Sequence, residues 1–141
     1  MITLCCNFEG RPQSLTHNLL MEPIYQSFVN LLVHQTLGLQ AAYEEAFEYW
    51  RPDEPPVTTL FAALGDRIAD DFESTELDVN SRIFALIESA MASGDQKLIT
   101  AVATGLIEAM ISRVTAKEGS SRRLTQELGA LSRKHAEAWM A

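Results

Sequence analysis

"QKLITAVATGLIEAMISRV", residues 96–114, is apolar around more than half its girth. Leu98, Ile99, Val102, Leu106, Ile107, Met110, Ile111 and Val114 recur at helical spacing but do not fit one narrow stripe. A helix greasy on that many sides is buried between neighbours rather than laid on a surface. Ala101, Gly105 and Ala109, spaced by four, give it a groove of small residues for close packing. The stretch before it, "ELDVNSRIFALIESAM" at 76–91, has a single core face of Ile83, Phe84, Ile87 and Met91. Asp78 or Asn80 can cap that helix, Gly94 can close it and Asp95 can start the next. Residues 76–114 therefore read as a helical hairpin whose second arm is the centre of the fold.

The rest of the chain reads outward from that centre. Period-2 alternation is absent, so strands are not expected. Pro23 suits the first turn of a helix to about Thr36, with Gly38 at its end. Leu39–Trp50 places Leu39, Tyr43, Ala46, Phe47 and Trp50 on one face and Glu44, Glu45 and Glu48 on the other. "RPDEPP" at 51–56 breaks the chain, because its three prolines cannot sit in a helix interior. Val57–Ser74 carries Leu60, Phe61, Leu64, Ile68 and Phe72 on one stripe, with Asp66, Asp70 and Glu73 opposite. Asp71 lies one turn after Arg67 and is positioned to pair with it. A last helix, Ser121–Met140, aligns Leu124, Leu128, Leu131, His135 and Trp139. The expected fold is all-α: one domain over 1–141, five or six helices around residues 96–114, with 1–20 loosely ordered.

Charge is placed unevenly. The chain carries −8 in total, yet Leu39–Asn80 holds eleven acids against two bases, a local −9. Phosphate would be repelled by that surface, so nucleic acid is not the expected partner and a basic protein is. The start "MITLCCNFEGRP" has neither a basic n-region nor a sustained apolar run, and is not read as a signal peptide. The stretch "SFVNLLVHQTLGLQAA" is interrupted by polar residues and is not read as a membrane span. Cys5 and Cys6 are adjacent, which disfavours a bridge between them and points to reduced thiols in a cytoplasm.

Chemical motifs are sparse. Asp66, Asp70 and Glu73 put carboxylates on one helix face, as in di-metal bundles, but no Glu-x-x-His or His-x-x-x-His accompanies them. No G-x-S-x-G, P-loop or G-x-G-x-x-G occurs. Glu108 is the lone acid of the central helix, and no pocket or partner is evident to make it catalytic. His135 in an apolar stripe reads as a half-buried residue with a hydrogen-bonded ring. The expectation is a non-enzyme, with no cofactor, no metal, no membrane and no small-molecule substrate.

The segments "LFAALGDRIADDF", "NSRIFALIESAMASGDQKLITAVATGLIEAM" and "LGALSRKHAEAWM" resemble an all-helical bacterial family. The resemblance covers roughly Leu60–Met140. Asn80, Phe84, Glu88, the run Val102–Met110, Leu128–Gly129, Ser132–Arg133 and Trp139 carry it, with Ala130 in place of a proline and His135 in place of a tyrosine. Such domains are similar to the immunity proteins encoded beside bacterial polymorphic toxins, which are cytosolic, acidic and bind one cognate toxin. The resemblance implies a fold and no catalytic residue.

Together these readings predict an immunity protein that occludes a basic toxin, perhaps a nuclease. The expected contact residues are Glu44, Glu45, Glu48, Tyr49, Trp50, Asp53, Glu54, Asp66, Asp70 and Glu73. A helical adaptor without a toxin partner is the first alternative. An enzyme with Asp66, Asp70 and Glu108 in one cleft is the second.

Overall fold

The computed structural model describes residues 22–116 and 120–141, so Cys5, Cys6 and His17 lie outside the described residues. The described residues form seven helices and no strand. They are α1 (Pro23–Val33), α2 (Leu37–Trp50), α3 (Val57–Asp71), α4 (Leu77–Met91), α5 (Gln96–Thr115), α6 (Ser120–Glu127) and α7 (Ala130–Met140). Contacts divide the chain into a unit ending at Asn30 and a unit spanning Leu31–Ala141. All packing described below belongs to the second.

The centre is α5. Leu98, Val102, Leu106, Ile107, Met110, Ile111 and Val114 are all buried, which is the all-round burial that its composition demands. Gln96–Thr115 is long and apolar enough to cross a membrane by composition alone, but 56% of its most apolar window is buried inside the fold, as a core helix should be. Its middle, Ala101–Ile107, winds as a π-helix. The sequence reading placed an ordinary α-helix there. The wider turn adds a residue per circuit, and six of its seven residues are buried, leaving Thr104 exposed. Asp95 starts α5 as expected, its carboxylate accepting the Leu98 N–H at 3.1 Å. Gly94, with φ +80°, makes the turn before it.

α3 is the main partner of α5, lying against both the π segment and Glu108–Thr115. Its predicted stripe, Leu60, Phe61, Leu64, Ile68 and Phe72, is buried throughout. Two glycines allow the crossing. A Cβ on Gly105 would sit 2.9 Å from Phe61 Cβ and 3.1 Å from the Thr58 carbonyl oxygen. A Cβ on Gly65 would collide with the Leu106 carbonyl oxygen. α2 packs on the other side of α3, burying Leu39, Ala42, Tyr43 and Phe47.

Three boundaries differ from the sequence reading. Gly38 does not end α1; Thr36 caps α2, accepting the Leu39 N–H at 3.0 Å. Neither Asp78 nor Asn80 caps α4, which begins at Leu77. Asn80 is buried in its first turn and donates back to the Phe72 carbonyl at 3.1 Å. Finally, the predicted helix Ser121–Met140 is two helices, α6 and α7. The break at Leu128–Gly129 resets the helical phase. The buried positions become Leu128, Ser132 and Ala136, and Leu131 and Trp139 emerge 43% and 45% exposed.

That break is held by side chains from both directions. Glu88 on α4 accepts the Leu131 N–H at 2.9 Å and the Ser132 N–H at 3.0 Å, and the Ser132 hydroxyl donates to it at 2.8 Å. It thereby satisfies the orphan donors at the α7 N-terminus from a neighbouring helix. Arg133 donates to the carbonyls of Thr125 (3.3 Å), Gln126 (3.1 Å) and Leu128 (2.8 Å), closing the C-terminus of α6. So Asn80, Glu88, Gly129, Ser132 and Arg133, which carry much of the family resemblance, hold joints of the fold.

Candidate functional site: an acidic groove between two helices

The exposed face of α2, the outer face of α3 and Arg113 of α5 border an open groove of about 510 Å³. Its floor is small and apolar, made by Ala42 and Ala46 from α2 and Ala63 from α3. Tyr49 and Trp50 stand at one end, their rings edge to face with centroids 6.2 Å apart. Tyr49 is 83% exposed, the most exposed aromatic residue described. Thr59 and five charged residues complete the lining: Glu45, Asp66, Asp70, Arg67 and Arg113.

The structure brings Glu45, Tyr49, Trp50, Asp66 and Asp70 of the predicted contact set into this one groove. Glu44 and Glu48 are exposed on α2 beside it, Glu48 paired with Arg51 at 2.9 Å. Asp53 is exposed in the loop. Glu54 is partly exposed in the same loop. One of its carboxylate oxygens is buried with no hydrogen-bond partner among the described residues, and burial raises its pKa. The neighbouring Tyr43 is pushed up to about 12, first by its own burial and then by the charges of Glu54 and Glu44.

The acids of 64–74 have partners that no local spacing reveals. Arg113, from α5, grips Asp70 with two hydrogen bonds of 2.9 and 3.0 Å and approaches Asp66 at 3.8 Å. Arg123, from α6, pairs with Glu73 and lies 5.6 Å over the Phe72 ring. Asp71 does not pair with Arg67. Its carboxylate lies against Gly38 in the first turn of α2, where the helix dipole favours a negative charge. Arg67 reaches Glu45 instead, at 3.4 Å. The predicted outward ridge is thus also a seam tying α3 to α2, α5 and α6. Arg113 and Arg123, with Arg82 at 3.5 Å from Asp78, set three outside cations against the segment's −9 and leave it at −6.

Glu108 does not join Asp66 and Asp70. It pairs with His135 of α7, Nε2 to Oε2 at 2.9 Å, with 29% of the histidine side chain exposed. The ring is more than half buried and hydrogen-bonded, as expected. His135→Ala should therefore lower stability by about 1 kcal/mol, a few degrees in Tm by thermal melting, since it strips one partner from a partly buried carboxylate. Among the described residues no group of three histidine, cysteine or acidic side chains is arranged to hold a metal.

The sequence profile of a domain of unknown function, DUF7674, matches residues 29–140. The chain belongs to the DUF7674 family. The match spans α2–α7 and every residue of the groove. No curated protein and no solved structure matches the chain. What a DUF7674 domain can do here must come from the groove's chemistry, which offers an apolar floor, exposed aromatics and excess carboxylate.

Proposed function

We propose that this protein is a cytoplasmic immunity protein that binds and occludes a basic toxin domain, such as a nuclease, through the face of α2, the 51–56 loop and α3. The observation that carries the reading is Tyr49, exposed beside an acidic groove in a segment, 39–80, that stays at −6 after its outside ion-pair cations are counted. Exposed aromatics beside a desolvated pocket are the residues that dominate protein interfaces. Acidic surroundings accelerate docking of a cationic partner. Basic side chains that a nuclease uses on phosphate would be held by carboxylates instead, so the mechanism is occlusion. The resemblance to polymorphic-toxin immunity proteins supports the same reading.

The test is co-expression with the product of the adjacent gene. A cationic toxin domain should be neutralised, restoring growth and giving a stoichiometric complex. A neighbourhood without a toxin, or a toxin that kills regardless, removes the immunity reading in favour of a helical adaptor. Within a complex, Tyr49→Ala should weaken binding by roughly 30-fold, the loss typical of an interface anchor. Glu44→Lys with Glu48→Lys should slow association and flatten its salt dependence, read by stopped flow at low and high salt. Reversing Asp66, Asp70 and Glu73 is a poorer test, because those acids also hold Arg113 and Arg123.

A further inference from the structure

We propose that the α2–α3 groove receives a single arginine or lysine side chain of the partner protein, with Asp66 as the residue that binds its charged head. The inference rests on the proposed binding function and names the subsite within that face.

The groove holds three carboxylates against two guanidinium groups. Arg67 is directed to Glu45. Arg113 commits Nε and Nη2 to Asp70, and its remaining Nη1 stays 3.8 Å from Asp66, beyond hydrogen-bond length. Asp66 therefore faces the groove near a cation that another carboxylate has already taken. Burial, foremost, raises the pKa of Asp66; the charge of Arg113 pulls it down, and the still weaker charge of Asp70 adds to the rise. An added cation would supply the close hydrogen-bonded partner that Arg113, turned to Asp70, does not give it.

The rest of the lining fits the stem of such a side chain. Methyl groups of Ala42, Ala46 and Ala63 form a shallow apolar track, and Trp50 offers a ring beside it. Long cationic side chains lay their methylenes on surfaces of this kind and keep the charge at the polar end. An indole next to the path adds a cation–π attraction. A neutral segment would bring no cation to Asp66, and an acidic one would be repelled by the carboxylates around it. Charge complementarity thus selects a basic segment as the occupant.

The probe is a capped, alanine-rich helical peptide carrying one arginine, with a twin carrying citrulline. It is titrated into the full chain and followed by amide chemical shifts. The arginine peptide should give saturable shifts at the groove residues and the citrulline peptide none. Asp66→Asn keeps the Arg113–Asp70 pair and should weaken binding about tenfold, the worth of one charge-assisted hydrogen bond. Ala46→Leu fills the floor on a half-exposed helix position and should weaken it comparably. Equal binding of the citrulline twin, shifts spread over every acidic helix, no saturable shift, or unaltered binding by Asp66→Asn would each overturn the subsite. A basic toxin domain that binds Asp66→Asn and Ala46→Leu as tightly as the wild type would overturn the subsite and leave the immunity function standing. A toxin domain that ignores the wild type would overturn that function, while the peptide titration still decides the groove.

Discussion

Gly65→Ala should destabilise the protein by roughly 2–3 kcal/mol, a drop of about 10 °C in Tm. Helix propensity alone predicts the opposite sign, because replacing a mid-helix glycine by alanine gains about 1 kcal/mol. Packing decides the outcome. The new methyl would fall on the Leu106 carbonyl oxygen, with the Leu106 carbonyl carbon at 3.1 Å and its Cα at 3.2 Å. These are backbone atoms of the π segment and cannot rotate away. α3 must move off α5, loosening the contacts of Phe61, Leu64 and Ile68. Gly105→Leu presses on the same crossing from the other side, against Phe61 and Thr58, and should cost about 1–3 kcal/mol. Urea unfolding of both variants checks this through the shift in midpoint at unchanged slope. A Gly65→Ala variant more stable than the wild type would mean that the two helices do not approach so closely.

Glu88→Ala should cost roughly 2–3 kcal/mol at neutral pH, after a discount for the partial exposure of the carboxylate. It deletes three hydrogen bonds and a carboxylate charge held at the N-terminus of α7. The effect should depend on pH with a definite sign. Burial alone would raise the Glu88 pKa, but the Leu131 and Ser132 amides, the Ser132 hydroxyl and the Arg133 charge together bring it below the ordinary 4.5. A carboxyl whose folded pKa is depressed adds stability above its unfolded pKa and loses it as pH falls through the folded value. The gap between wild type and Glu88→Ala should therefore be full above about pH 5 and shrink on further acidification. Glu88→Gln, which keeps acceptor capacity without charge, should fall between the two. A gap that widens in acid would show that the charge does not hold α7 in place.

Periodicity within each segment was enough to determine the all-α class, the buried centre at 96–114, the stripe of α3, the Pro-rich break and the Asp95 cap. Each depends on residues within a turn or two of one another, and burial follows from how much of a helix's girth is apolar. The uneven charge was equally legible, being a sum over composition. Other features were settled only when distant segments met. The π-turn at Ala101–Ile107 accompanies the close crossing of α3, seen in Gly65 against Leu106. The split of the last helix accompanies the carboxylate of Glu88, more than forty residues earlier in the chain. The acids of "LGDRIADDFES" looked unneutralised because their cations, Arg113 and Arg123, lie 43 and 50 residues from Asp70 and Glu73. Ion pairing depends on distance in space, and helical spacing reports only neighbours along one helix. The groove has the same origin. Ala42, Ala46 and Ala63 are ordinary helix formers until α2 and α3 pack side by side, and only then do their small side chains line a groove together with Trp50 and Asp66.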